Sequence, residues 1–138
     1  MPLDLAALVD PKHTALVTQE CQQGVIGEKS ALPELGAEPE DLVLARLHGL
    51  SPFQGTELDW VLRNAGVTTI VGVGVSVNVA IQNLTFDAVN ASYQVVIPRD
   101  AVAGFPAEYV DLVFEHTLAA ISTLTTTRAL LEVWGSTR

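Results

Sequence analysis

Short β-rich runs alternate with helix-length amphipathic stretches along this chain. That pattern predicts an α/β fold of three layers, with a central parallel sheet between two layers of helices in the Rossmann-like manner. Three observations carry the expectation. The run 67–75 is apolar and β-branched throughout, as a strand buried on both faces must be. Helix-spaced apolar sets flank it, Leu58, Val61, Leu62 and Ala65 before it and Ile81, Leu84, Ala88 and Val89 after it. The chain has 138 residues, enough for one core that buries roughly two-thirds of its unfolded surface, so a single domain over 1–138 is expected.

Taken in order, Thr14-Ala15-Leu16-Val17-Thr18-Gln19 reads as a buried strand that ends in the polar loop Glu20-Cys21-Gln22-Gln23-Gly24. Pattern is lost over 27–40, where Pro33, Pro39, Gly36 and four Glu mark a linker with room for one helical turn. A strand resumes at 41–46. Thr56-Glu57-Leu58-Asp59 has the form of a capping box with Asp in the Glu position, so a helix starts there, and Gly66 stands where a left-handed residue closes it. Strand 68–75 is placed at the sheet centre. A helix at about 78–90, a strand at 93–97, a helix from Pro106 through Leu118, a strand at 120–125 and a last helix at 127–134 complete the reading.

Composition narrows the function classes. Hydrophobic residues make up 49% and charged residues 17%, the latter below the roughly 25% of ordinary soluble domains, and mean hydropathy is +0.34. Such a chain folds and is not disordered. Seven Lys and Arg against sixteen Asp and Glu give a net charge of -9, which repels a phosphate backbone, so no nucleic-acid partner is expected. The longest weakly polar stretch, 65–81, contains Gly66, Gly72 and Gly74 and falls short of the roughly 20 apolar residues of a membrane span. Met1-Pro2-Leu3-Asp4 lacks the basic start of a signal peptide, and the lone Cys21 has no partner for an intrachain disulfide; both fit a cytoplasmic protein.

In an open parallel sheet, ligands bind at the carboxyl ends of the strands. Three such ends carry chemistry here: Glu20 after the first strand, Arg46 after the second, and Gly74-Val75-Ser76-Val77-Asn78 after the third. The last leads into a helix, whose free amides favour a negative group. Each feature also has a structural reading. An acid and an arginine at neighbouring strand ends commonly form an ion pair, and Cys21 fits a small buried residue as well as a nucleophile. His13, His48 and His116 show no ligand spacing, and no phosphate-binding glycine motif is present, so neither metal nor cofactor is expected.

Several segments together match a known pattern. Residues 14–27, with an apolar run ending in an acid and then Gln two residues on, resemble the opening strand and loop of the isochorismatase-like (cysteine hydrolase) superfamily. Phe53-Gln54-Gly55-Thr56-Glu57-Leu58 resembles its Phe-x-Gly-Thr-x-Leu helix start. Residues 74–81 resemble the turn that carries its nucleophilic Cys, and 93–104 resemble the following strand and Asp-Ala segment.

The resemblance implies a working set of Asp, Lys and Cys, and this chain departs at all three positions. Glu20 stands for the Asp, Arg46 lies nearest the Lys with the stretch before Phe53 one residue longer than usual, and Ala80 falls where the Cys would be. Members also place a helix and a strand between the first strand and the one that carries the Lys. Here only 27–40 joins them, too few residues for both elements, since a crossover alone takes a dozen or more. The expected sheet therefore lacks one strand and one helix.

What the resemblance implies for function is a hydrolase acting on a small molecule without covalent catalysis, as in members that cleave a vinyl ether. Glu20 would be the general acid, Arg46 would orient a substrate carboxylate, and the turn Val75, Ser76, Val77, Asn78 and Val79 would bind negative charge. An acyl-enzyme is disfavoured, because position 80 has no thiol. The alternative is a catalytically silent binding or assembly subunit. The missing strand would leave open backbone for a neighbouring chain to cover, so a homo-oligomer is expected. The resemblance further implies a non-proline cis peptide at Val75-Ser76.

Overall fold

The computed structural model describes residues 4–19, 41–46 and 49–135. Its sheet is parallel throughout. Strands β1 (Thr14–Gln19), β2 (Thr69–Val75), β3 (Gln94–Pro98) and β5 (Thr123–Thr125) lie side by side in the order β1-β2-β3-β5, and the two-residue β4 (Val102–Ala103) pairs with the end of β2.

Alternation along the strands explains the layers. Ile70, Val95 and Ile97 face helices α2 (Leu58–Asn64), α3 (Gln82–Asn90) and α4 (Ala107–Val113), where Leu62, Ile81, Ala88, Val113 and Phe114 complete one core. Val71 and Val96 point the other way, to α1 (Leu5–Leu8) and α6 (Thr127–Gly135), with Val9 and Leu130. Successive side chains of a strand point to opposite faces, so an unbroken apolar run requires cover on both.

Helix α2 ends as its sequence predicts. Gly66 takes φ +70; its N–H donates to Arg63 O and the Val67 N–H to Leu62 O, both at 3.0 Å, the double closure that needs a left-handed residue. Its start differs from a capping box. Thr56 Oγ1 accepts the Leu58 N–H at 3.3 Å, but Asp59 does not fold back to close the box. Its carboxylate instead takes the Arg63 Nε–H at 3.0 Å and the Tyr93 hydroxyl at 2.9 Å.

Two further expectations are corrected. Residues 41–46 take no strand conformation, with Leu44 against the core and Leu42 and Val43 exposed. The residues have strand composition, but β-propensity is a fit to a pleated, half-buried surface, and among the described residues β1 has β2 as its only ladder partner. The strand expected at 120–125 is shorter, because the helical stretch runs on through a π turn (Phe114–Leu118) to α5 (Ala119–Ile121) before β5. The Ser122 hydroxyl closes that helix on Leu118 O at 2.7 Å.

The Asp59, Arg63 and Tyr93 cluster gives a stability profile in pH. The hydrogen bond from Arg63 holds Asp59 below the usual carboxylate range, burial opposing and the Tyr93 hydroxyl assisting. Burial, and then the bond to Asp59, pushes the Tyr93 hydroxyl up. A depressed acid stabilises the fold above its unfolded value of 3.8 and loses that contribution as pH falls through the lower folded value. A raised phenol stabilises below its unfolded value of 10.0 and loses its contribution as pH rises through the higher folded value. Tyr93→Phe should therefore flatten the alkaline limb of a thermal-melt pH series and cost about 1 kcal/mol near neutrality. An unchanged alkaline limb would rule out this role of the phenol.

Candidate functional site

At the carboxyl end of β2 the chain makes an abrupt turn. Gly74 has φ +113, and a Cβ there would stand 2.5 Å from Gln19 O, so only glycine lets β2 lie this close to the end of β1. The register pairs Gln19 with Gly74. The Val75-Ser76 peptide is cis, as the resemblance implies. A π turn (Val77–Ile81) follows and runs directly into α3.

Within the turn, Ser76 O accepts the Val79 N–H at 3.2 Å and the Ile81 N–H at 3.0 Å. Ala80 is 3% exposed, its methyl buried where the resemblance places a nucleophile, whereas Val79 is 37% exposed at the surface. Asn78 ties the turn to the chain after β4: its Nδ2 donates to Phe105 O at 3.3 Å. Its Oδ1 lies over Gly104, where a Cβ would come within 2.7 Å. That oxygen is buried without a donor. Val75, Ser76, Val77, Asn78, Val79 and Ala80 are thus one structural unit.

Gln19 is a polar residue of this region that the motif reading passes over. It ends β1 at 6% exposure, and its Oε1 is the other buried side-chain atom among the described residues without a hydrogen-bond partner. Its signal in the sequence is a carboxamide closing an otherwise apolar run. The next residue, Glu20, lies outside the described residues, as do Cys21 and the linker 27–40. Arg46 Nη1 donates to Leu50 O at 2.8 Å.

The charged residues after β3 serve the fold. Arg99 lies over the Phe114 ring at 4.5 Å and pairs with Asp111 at 3.6 Å. Asp100 Oδ1 accepts the Thr127 N–H at 2.8 Å and its hydroxyl at 3.1 Å; the backbone bond chiefly holds this carboxyl below its ordinary range. An open cleft of ≈ 260 Å³ among Tyr93, Gln94, Ser122 and Thr123 lies at the amino ends of β3 and β5, the wrong pole for a ligand of a parallel sheet. Among the described residues no three His, Cys, Asp or Glu side chains stand together as a metal site, and no helix is long and apolar enough to cross a membrane.

A parallel sheet covered by helices on both faces, with a close β1/β2 apposition leading into a cis turn and helix, is the isochorismatase-like α/β hydrolase fold. The chain belongs to the isochorismatase family: the family model for the Isochorismatase domain matches residues 20–129. It is 30% identical over 120 residues to the uncharacterized isochorismatase family protein YwoC of Bacillus subtilis (strain 168), covering 83% of this chain and 63% of that protein. Among solved structures, an isochorismatase family protein from Burkholderia thailandensis is 31% identical with a TM-score of 0.66, over 72% of this chain and 52% of that one. A cysteine hydrolase from Pseudomonas syringae pv. phaseolicola 1448A is 25% identical with a TM-score of 0.68, over 75% and 53%. The chain therefore spans between about half and five-eighths of the length of these relatives.

Proposed function

We propose that this chain is a small-molecule hydrolase of the isochorismatase family that works without a covalent intermediate. Glu20 protonates the leaving group as general acid, Arg46 orients a substrate carboxylate, and the turn receives the negative charge that develops. The observation that carries this reading is the retained turn around a missing nucleophile. Gly74, the Asn78 bond to Phe105 and the buried wall at Ala80 form an ordered frame, and the side chain in the nucleophile's place is a methyl. With the Val79 N–H taken by Ser76 O, the donors for an anion are the amides of Val77 and Asn78, which open the turn where a helix has no acceptor for them.

The lone Cys21 supports a reducing, cytoplasmic setting, and β1 having β2 as its only ladder partner among the described residues supports a homo-oligomer. A second reading, a silent binding subunit, is favoured by the substitutions at Glu20, Arg46 and Ala80. A turnover screen over isochorismate, nicotinamide and small amides, run beside a full-length relative, separates the two. Release of product from a vinyl ether with no burst of acyl-enzyme is the expected result; no turnover on any member of the panel would leave the silent reading.

A further inference from the structure

Helix α3 carries an acid where a helix tolerates one badly. Asp87 stands in the last turn of Gln82–Asn90, with no basic residue beside it in that turn, and the carbonyl end of the helix dipole opposes negative charge there. Aspartate is also a weak helix former, because its short side chain competes for nearby backbone groups. The compensation is a tertiary bond: the Ser51 hydroxyl donates to Asp87 Oδ2.

Ser51 is used to capacity. Its Oγ accepts the Phe53 N–H and the Gln54 N–H, both at 3.0 Å, which occupies both lone pairs and gives the single O–H to Asp87. The hydroxyl cannot turn away without losing a bond, so the turn 51–54 is clipped to α3, and Phe53 adds a ring contact 6.0 Å from the Tyr93 centroid. The carbonyl immediately before Ser51 is Leu50 O, which accepts Arg46 Nη1 at 2.8 Å. The Leu50 side chain is 56% exposed, so that carbonyl is placed from Ser51 rather than by burial of Leu50.

We propose that Asp87 and Ser51 are positioning residues for Arg46: the Asp87 carboxylate, through the Ser51 hydroxyl and the Leu50 carbonyl, sets where the Arg46 guanidinium stands. A guanidinium holds its N–H donors in one rigid plane, so a bond at one Nη directs the whole fork. The duty given to Arg46, orienting a substrate carboxylate, rests on the proposed function; the latch itself does not.

Asp87→Ala suits the helix better than the native residue, so α3 is retained while the latch opens. The variant should raise KM for isochorismate about tenfold with kcat nearly unchanged, as expected when a charge-assisted bond that serves binding is lost. KM for nicotinamide, which has no carboxylate, should not move. Ser51→Ala should match Asp87→Ala, and Asp87→Asn, which keeps an acceptor oxygen, should recover most of the loss. In Arg46→Ala chains Asp87→Ala should add nothing further, because both changes act through one group. Tyr93→Phe, which weakens the fold beside the same turn, should leave KM as it is. Independently of turnover, labelling of Arg46 by phenylglyoxal, read by peptide mass, should quicken about fivefold in Asp87→Ala, with Arg128 on α6 unchanged. Labelling of Arg46 at the wild-type rate in Asp87→Ala overturns the latch. Faster labelling with KM unmoved in an active enzyme, or a KM that rises equally in Arg46→Ala chains, overturns the positioning role. A wild type that turns over no carboxylate refutes the duty given to Arg46, and the labelling alone then decides the latch.

Discussion

Glu20→Gln should lower kcat by roughly a hundredfold to ten-thousandfold while substrate binding persists. The amide keeps the shape and hydrogen-bonding capacity of the acid and removes only the transferable proton, so the loss isolates proton donation from positioning. Glu20 directly follows Gln19, whose Cα pairs with Gly74 at the turn, and no other acid follows β1 before Glu28. Alkylation of Cys21 should matter far less, because the resemblance places the family's nucleophile at position 80, where this chain has a methyl. Equal turnover of wild type and Glu20→Gln, or a loss that tracks Cys21 alone, would remove Glu20 from the role of general acid.

Gly74→Ala is expected to have the largest effect on stability of any single methyl added to the chain. Two costs combine: a positive φ of +113 that a side chain rarely adopts, and a Cβ 2.5 Å from a backbone oxygen of β1. Backbone atoms cannot swing aside as a flexible side chain can, so the strands must separate at the point where they frame the turn. Strain and overpacking of this kind cost on the order of 3 kcal/mol or more, which should lower Tm by on the order of 10 °C. Gly66→Ala meets no atom within 4 Å and bears only the conformational cost at φ +70, so it is the matched control. A melt of Gly74→Ala equal to that of Gly66→Ala would show that β1 does not press on β2 there.

The parts of the fold that could be read ahead are those whose signals are local. Strand β2 is apolar at every position but Thr69 and its two glycines, which admits no exposed face, and α2 carries both its apolar spacing and its terminal Gly66 within a few residues. The segment 41–46 misled because its strand composition requires a neighbour on a sheet, and among the described residues β1 pairs with β2 alone. The boundary near Ala120 and Ile121 was equally hidden, since these apolar residues suit a helix end as well as a strand start and the deciding contact is the Ser122 hydroxyl on Leu118 O. Strand β4, two residues long, has no pattern at all; it exists through its pairing with Gly74 and Val75. For the site, the motif located the turn, while the burial of Gln19 and the bond from Asn78 to Phe105 depend on residues far apart in the chain.

The bond from the Trp134 indole N–H to Val9 O, 3.0 Å long, joins residues 125 positions apart. Trp60, the other tryptophan, is 75% exposed on α2. The chain thus contains two optical probes with separate duties. Trp60 emits as a water-bathed indole whether or not the layers are assembled, whereas the blue-shifted emission belongs to Trp134 and reads the docking of α1 and α6 on the sheet. Loosening either of these short helices from the other would register as a red shift of that component alone, ahead of any loss of the β2 core.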